Sequence, residues 1–306
     1  MSPIGGPVAS STPGQNPNTG RESAGLPPAQ HLRSLDRRSP HPPITNSLQL
    51  PSIPDSLELS DRDRQILGLV ARFRIVSGAQ LRDLFWPEGT PDTRARLARR
   101  GLARLATLDL LAPLARRVGG VRAGSAGYCF ALGPAGQRLI AGGRPRRPVT
   151  PGARHLAHTL AVAQLYVDLI ASQRWGLGEL LAFDPEPACW RRYPGPYGAS
   201  ETLKPDAYLR LASGDYEDSW FVEVDLDSEG APTITGKAER YLDCFHAGVV
   251  QRAEGVFPKT IWTTPSEKRA KTLRAIFARL PEDGGRLFVV TTCDEAISQL
   301  VGGTPS

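Results

Sequence analysis

Long apolar runs are absent: nowhere does the chain approach the roughly 18 consecutive apolar residues that a membrane-spanning helix requires. A transmembrane protein and a membrane partner are therefore not expected. Cysteine is scarce as well. The four residues Cys129, Cys189, Cys244 and Cys293 form no CxxC pair, which speaks against a disulfide scaffold or a thiolate zinc site. The first thirty residues show neither a charged start nor an apolar h-region, so a secretory signal is not expected and the expected compartment is the cytoplasm. Lysine is missing from residues 57–150 although that segment is the most basic: its seventeen cations are all arginine, against seven acids, for a net charge of +10. Residues 1–56 carry +1 and residues 151–306 carry −5, within a total of +6. A basic segment followed by an acidic one suggests two tasks, holding a polyanion and doing something for which acids are wanted. With 306 residues, 40% hydrophobic and 22% charged, there is material for two ordinary domains and a tail.

Residues 1–56 are rich in Pro, Gly, Ser and Asn without apolar periodicity and read as a disordered leader. A second break, GGRPRRP followed by Pro151-Gly152, marks a linker over 144–153 between domains at 57–143 and 154–301, with a tail at 302–306. In the first domain Ser60 is a good cap for a helix whose apolar face is Ile66, Leu67, Val70 and Phe73. Ser77 can cap a second helix through Leu81, Leu84 and Phe85, and a third starts near Asp92. Residues 110–118 and 127–132 read as two strands joined by the glycine-rich tip GGVRAGSA. Three helices and a basic hairpin make a winged helix, a helix-turn-helix variant. In the third helix, Leu97, Gly101, Leu105 and Leu108 are spaced to pack inward, leaving Arg94, Arg96, Arg99, Arg100 and Arg104 outside as a recognition surface for double-stranded DNA. Arg116, Arg117 and Arg122 on the hairpin would touch the flanking backbone. A merely solvated arginine-rich helix is the competing reading.

The acidic half opens with an amphipathic helix over 154–173. Strands follow at 177–183, 189–193, 206–211 and 219–226, with a loop at 194–205, then a helix at 233–247, a strand at 258–263, a helix at 266–280 and a strand at 286–291. These elements describe an α/β sandwich with a mixed sheet. Asp206 starts one strand, and Glu223 and Asp225, two residues apart, share a side of the next. Such acids offer the oxygen ligands preferred by Mg²⁺ or Mn²⁺, ions able to activate water and polarise a phosphodiester, which points to DNA strand cleavage. Lys237 and Tyr241, spaced i, i+4 on the following helix, extend the set, Lys237 to offset charge on the attacked phosphate and Tyr241 as an alternative nucleophile to water. If the strand of Glu223 lies at a sheet edge, the acids are ordinary alternation. His155 and His158, three apart, read as helix packing or phosphate contacts rather than zinc ligands.

The runs LSDRDRQILGLVARFRIVSGAQLRDLFWP, YCFALGPAGQRLI, HTLAVAQLYVDL, LKPDAYLRL, FVEVDLDSE and KAERY, in that order over about residues 57–270, resemble the bacterial replication-relaxation proteins, a group associated with plasmid replication, DNA relaxation and mobilisation. The resemblance implies a winged helix joined to a PD-(D/E)XK nuclease-like α/β domain, with Pro205-Asp206 as the PD element and Glu223-Val224-Asp225 as the (D/E)XK element. Asp225 stands where that motif has lysine, so either Lys237 reaches in from the following helix or the acids act through metal alone. The function implied is a metal-dependent nicking endonuclease acting at an origin of replication or transfer, with a second copy of the chain and other replication or relaxosome proteins among the implied partners. The alternative is a non-catalytic accessory protein or transcriptional regulator with a degenerate nuclease-like domain. A protein-binding scaffold is a third reading.

Overall fold

The computed structural model describes residues 59–114, 127–141, 144–195, 198–214 and 216–302. Residues 1–58, the hairpin tip with Arg116, Arg117 and Arg122, and residues 303–306 of the expected tail lie outside the described residues. No helix among the described residues is long and apolar enough to cross a membrane.

Helix α1 (Asp61–Phe73) starts where Ser60 can act at both ends of a capping box: its hydroxyl accepts from Asp63 N, and the Asp63 carboxylate accepts from Ser60 N. The two-residue strand β1 (Val76–Ser77) leads into α2 (Gly78–Phe85), begun by the same device at Ser77 and Gln80. Thr90 caps α3 (Pro91–Thr107), with proline in the first turn. Strands β2 (Leu111–Pro113) and β3 (Cys129–Leu132) join β1 in an antiparallel sheet of order β1-β3-β2, and α4 (Pro134–Ala141) packs beside it.

The inward face of α3 differs from the sequence expectation. Ala98, Leu102 and Leu105 are buried, whereas Leu97 and Leu108 are 42% and 43% exposed. Gly101 does pack inward as expected, against the Trp86 ring: a Cβ on Gly101 would meet Trp86 Cζ2 at 2.8 Å. The buried stripe therefore runs through small residues that a count of leucines passes over.

The second half begins with α5 (Ala153–Arg174), followed by β4 (Glu179–Pro185), β5 (Arg191–Pro194), β6 (Ser200–Leu203), β7 (Ala207–Ser213), β8 (Tyr216–Val224), α6 (Ala231–Ala247), α7 (Val249–Glu254), β9 (Lys259–Thr264), α8 (Glu267–Phe277), α9 (Glu282–Leu287), β10 (Phe288–Thr292) and α10 (Ala296–Val301). Five strands form one sheet of order β10-β9-β8-β7-β4, antiparallel across β4, β7 and β8 and parallel across β8, β9 and β10. The chain is thus mixed α/β, and leaving aside the β5–β6 hairpin and the short α7 and α9, the order through β10 is α-β-β-β-α-β-α-β. The segment 194–205 expected as a loop contains β6, paired antiparallel with β5.

Strand β8 lies between β7 and β9, which removes the edge-strand reading of Glu223. Its side chains alternate between two cores. Trp220, Val222 and Val224 join α5 and α10 on one face, while Phe221 joins α6 and α8 on the other. The first core does not stop at residue 150. Phe73 of α1 lies 5.3 Å from Tyr166 of α5 and 5.7 Å from Phe183 of β4, ring centre to ring centre. Gln80 donates to Leu160 O and Gln164, and Arg174 donates to the carbonyls of Asp83 and Leu84 at the end of α2.

Candidate active site

Asp206 sits at the mouth of the β7 strand, tied by its backbone on two sides: its N–H donates to Val222 O and its carbonyl accepts from Glu186 N. Its Oδ2 accepts from Val224 N at 2.7 Å and lies 3.0 Å from His158 Nε2 of α5. Both contacts fall on one oxygen, so Oδ1 carries neither.

Glu223 projects from β8 to the α6 side, its side chain 3% exposed. The i, i+4 pair of α6 meets it: Tyr241 Oη donates to Oε1 at 2.7 Å and Lys237 Nζ to Oε2 at 3.3 Å. Lys237 also lies 3.0 Å from Glu229 Oε2. The structure therefore brings Asp206, Glu223, Lys237 and Tyr241 into one electrostatic cluster, and adds His158.

Burial, and then the negative charge of Asp206, push the Glu223 carboxyl up to about 8. Burial works against the Lys237 ammonium, but Glu223 and Asp206 outweigh it and raise its pKa. The bond to Asp206 raises His158 above its ordinary value despite burial. Tyr241, 1% exposed, is driven well above the ordinary phenol range by burial and by Glu223.

The sign of the Glu223 shift sets a pH dependence. Between its ordinary 4.5 and about 8 the folded chain retains a proton that the unfolded chain has released. The stability contributed by the neutral carboxyl is full below the lower value and is lost as pH rises through the upper one. In EDTA, the thermal midpoint should fall from about pH 5 to about pH 8, and Glu223→Gln should flatten that fall. Calorimetry at three pH values checks it; equal slopes would refute the assignment.

Asp225 does not join the cluster. It faces the same side as Glu223, as the two-residue spacing predicts, yet Arg269 of α8 holds it, with Nη2 2.7 Å from Oδ2 and Nε 3.2 Å from both oxygens. Asp227 N donates to Oδ1 as well. The three-acid set expected from sequence is thus reduced to two, because a guanidinium already saturates the third. Among the described residues no three His, Cys, Asp or Glu side chains are grouped to hold a metal ion. The buried Glu223 and the part-buried Asp206, close enough that the Asp206 charge raises the Glu223 carboxyl, nevertheless fit a divalent cation, since Mg²⁺ takes one or two carboxylates with waters and substrate oxygens.

On α3, Arg96, Arg99 and Arg100 are exposed. Arg94 is not available in the same way: Nε donates to Trp86 O and Nη2 to Asp83, both at 2.8 Å. The rotation of α3 that buries Ala98 also turns Arg94 inward. Arg104 pairs with Asp63 at 2.5 Å, joining α3 to α1. His158 and Arg269 are the neighbours of Asp206 and Asp225 that periodicity passes over, because it cannot say which helix crosses which strand end. His158, read from sequence as helix packing or a phosphate contact, instead meets the Asp206 carboxylate.

A family model described as replication-relaxation matches residues 67–260, more than half of the chain. That span runs from α1 into β9 and includes His158, Asp206, Glu223, Lys237 and Tyr241. Comparison with curated proteins and with solved structures gives no match.

Proposed function

Because the chain belongs to the replication-relaxation family, and because Lys237 reaches a buried Glu223 beside Asp206, we propose that it binds double-stranded DNA and nicks it at this centre with the help of Mg²⁺ or Mn²⁺. Family membership points to a role in replication or relaxation; the rest is carried by the position of Lys237. The PD-(D/E)XK pattern asks for a lysine at 225, and the structure offers one from the next helix, on the carboxylate that the pattern pairs with it. The sheet order, antiparallel then parallel, agrees with that reading, and α1 to α3 with the small sheet agree with a winged helix.

Asp206 and Glu223 would hold the cation, which when bound would polarise the phosphodiester and ease deprotonation of an attacking water. Val224 N and His158 fix Asp206, and Tyr241 fixes Glu223, so the two carboxylates cannot swing apart. Lys237 places a positive charge beside them for the negative charge developing on the phosphate. Water is favoured over Tyr241 as nucleophile, because the Tyr241 hydroxyl is buried and already spent on Glu223. The accessory-protein reading draws on Asp225, which fills the lysine position and is locked by Arg269.

The test is conversion of a supercoiled plasmid carrying the native origin to open circles in Mn²⁺ or Mg²⁺, with an EDTA control. Open circles only with the cation support nicking; closed plasmid together with retained salt-sensitive binding leaves the accessory role. On the DNA-binding side, replacing Arg96, Arg99 and Arg100 together by alanine should lower affinity about 10²-fold at moderate salt and reduce the slope of log K against log salt by about 0.9 for each lost phosphate contact. Unchanged binding in a fluorescence-anisotropy titration would remove α3 from the interface.

A further inference from the structure

A crevice at the seam of the two halves is lined by Arg72, Phe73 and Arg74 from the end of α1 and by His158, Glu186 and Asp206 from the second half. It holds about 20 Å³, room for one water, so a larger group could rest only at its mouth. Its two arginines differ in kind. Arg72 is enclosed, its guanidinium 5.4 to 5.9 Å from the ring centres of Phe73, Tyr166 and Phe183, where it serves packing. Arg74 stands at the rim with a side chain 53% exposed, and its ion pair, with Glu186, is long at 3.6 Å.

The backbone at Arg74 is unusual. Ile75 N donates to Phe73 O at 2.7 Å, closing a γ-turn around Arg74, whose φ is 66° and ψ −42°. This is the rarer hand of that turn, strained for any residue with a Cβ. Glycine would satisfy the turn better, so the local backbone does not account for an arginine here.

We propose that Arg74 binds the DNA backbone phosphate next to the bond presented to Asp206 and Glu223, so that the DNA-binding half contributes a substrate-contacting residue to the catalytic centre. This rests on the DNA-nicking reading above. The crevice floor carries the Asp206 carboxylate, which repels a phosphate, whereas the rim guanidinium offers the planar, two-pronged donor set that phosphate oxygens match. The weak pair with Glu186 can be exchanged for that ligand.

The experiment compares wild type, Arg74→Gly and Arg74→Lys by thermal midpoint, by anisotropy titration of a labelled origin duplex over a range of salt, and by plasmid nicking. Arg74→Gly should raise the midpoint, because it relieves the turn, while lowering the salt slope by about 0.9 and the nicking rate about tenfold. Arg74→Lys should restore the slope. A glycine variant that keeps the wild-type slope and rate overturns the assignment and leaves nicking standing. A lowered midpoint, with binding lost in step, also overturns it, since Arg74 is then structural. A lowered slope in a wild-type background that does not nick keeps Arg74 on the phosphate and removes the nicking reading instead.

Discussion

The Asp206→Ala protein should bind origin DNA as wild type does and leave the supercoiled plasmid closed, a loss of about 10³-fold or more in nicking rate. The expectation follows from how few groups make up the centre. Asp225 cannot substitute, because Arg269 holds both of its oxygens. His158 cannot supply a carboxylate, and Glu223 alone is a single buried acid already bonded to Tyr241 and Lys237. Glu223→Gln should fail comparably while preserving the shape of the site and its hydrogen bond from Tyr241. Tyr241→Phe should cost far less, about tenfold, since it removes one orienting hydrogen bond and leaves both carboxylates. The rates are read from open-circle formation over time in Mn²⁺, with DNA binding measured in parallel. Full nicking by Asp206→Ala would sink the proposed centre; loss of nicking by Tyr241→Phe as complete as by Asp206→Ala would point back to a tyrosine nucleophile, and a protein–DNA adduct on a denaturing gel would then be expected.

The second large effect concerns stability. Arg269→Ala should destabilise the chain by about 3–5 kcal/mol, because it leaves the Asp225 carboxylate buried without its guanidinium. Arg269 Nη2 also donates to Glu229 O at 2.7 Å, so the loop carrying Glu229, a partner of Lys237, loses its anchor in the same step. Asp225→Asn should cost less, since an amide is cheaper to bury than an unpaired charge. Urea denaturation of the two variants and of the double Asp225→Asn, Arg269→Ala variant measures the coupling. Equal small losses would show the pair to be solvated. A well-folded Asp225→Asn protein that cannot nick would return Asp225 to the catalytic set.

Which of these relations could be read from the chain depends on how local they are. Ser60 and Ser77 announce their helices because a cap acts within three residues. The switch from helical to strand-like periodicity placed α5, β7, β8 and α6 close to their observed bounds, and with them the shared side of Glu223 and Asp225 and the pairing of Lys237 with Tyr241. What escaped is what one element does to another. Arg269 lies 44 residues from Asp225, and His158 48 from Asp206. The phase of α3 differs because Ala98, which is buried, carries less hydrophobic weight in a pattern than Leu97 and Leu108, which are exposed. Strand β6 was hidden by the Pro and Gly around it, and by a sequence, SETL, without the apolar alternation that marks a strand.

The ring contacts among Phe73, Tyr166 and Phe183 have a consequence for cooperativity. A cut in the Pro- and Arg-rich connection at 144–153 would separate surfaces that are dry only while together, and each piece would inherit half of an aromatic cluster facing water. The two halves are therefore one unfolding unit across that cluster, and the stability of either cannot be assigned to it alone.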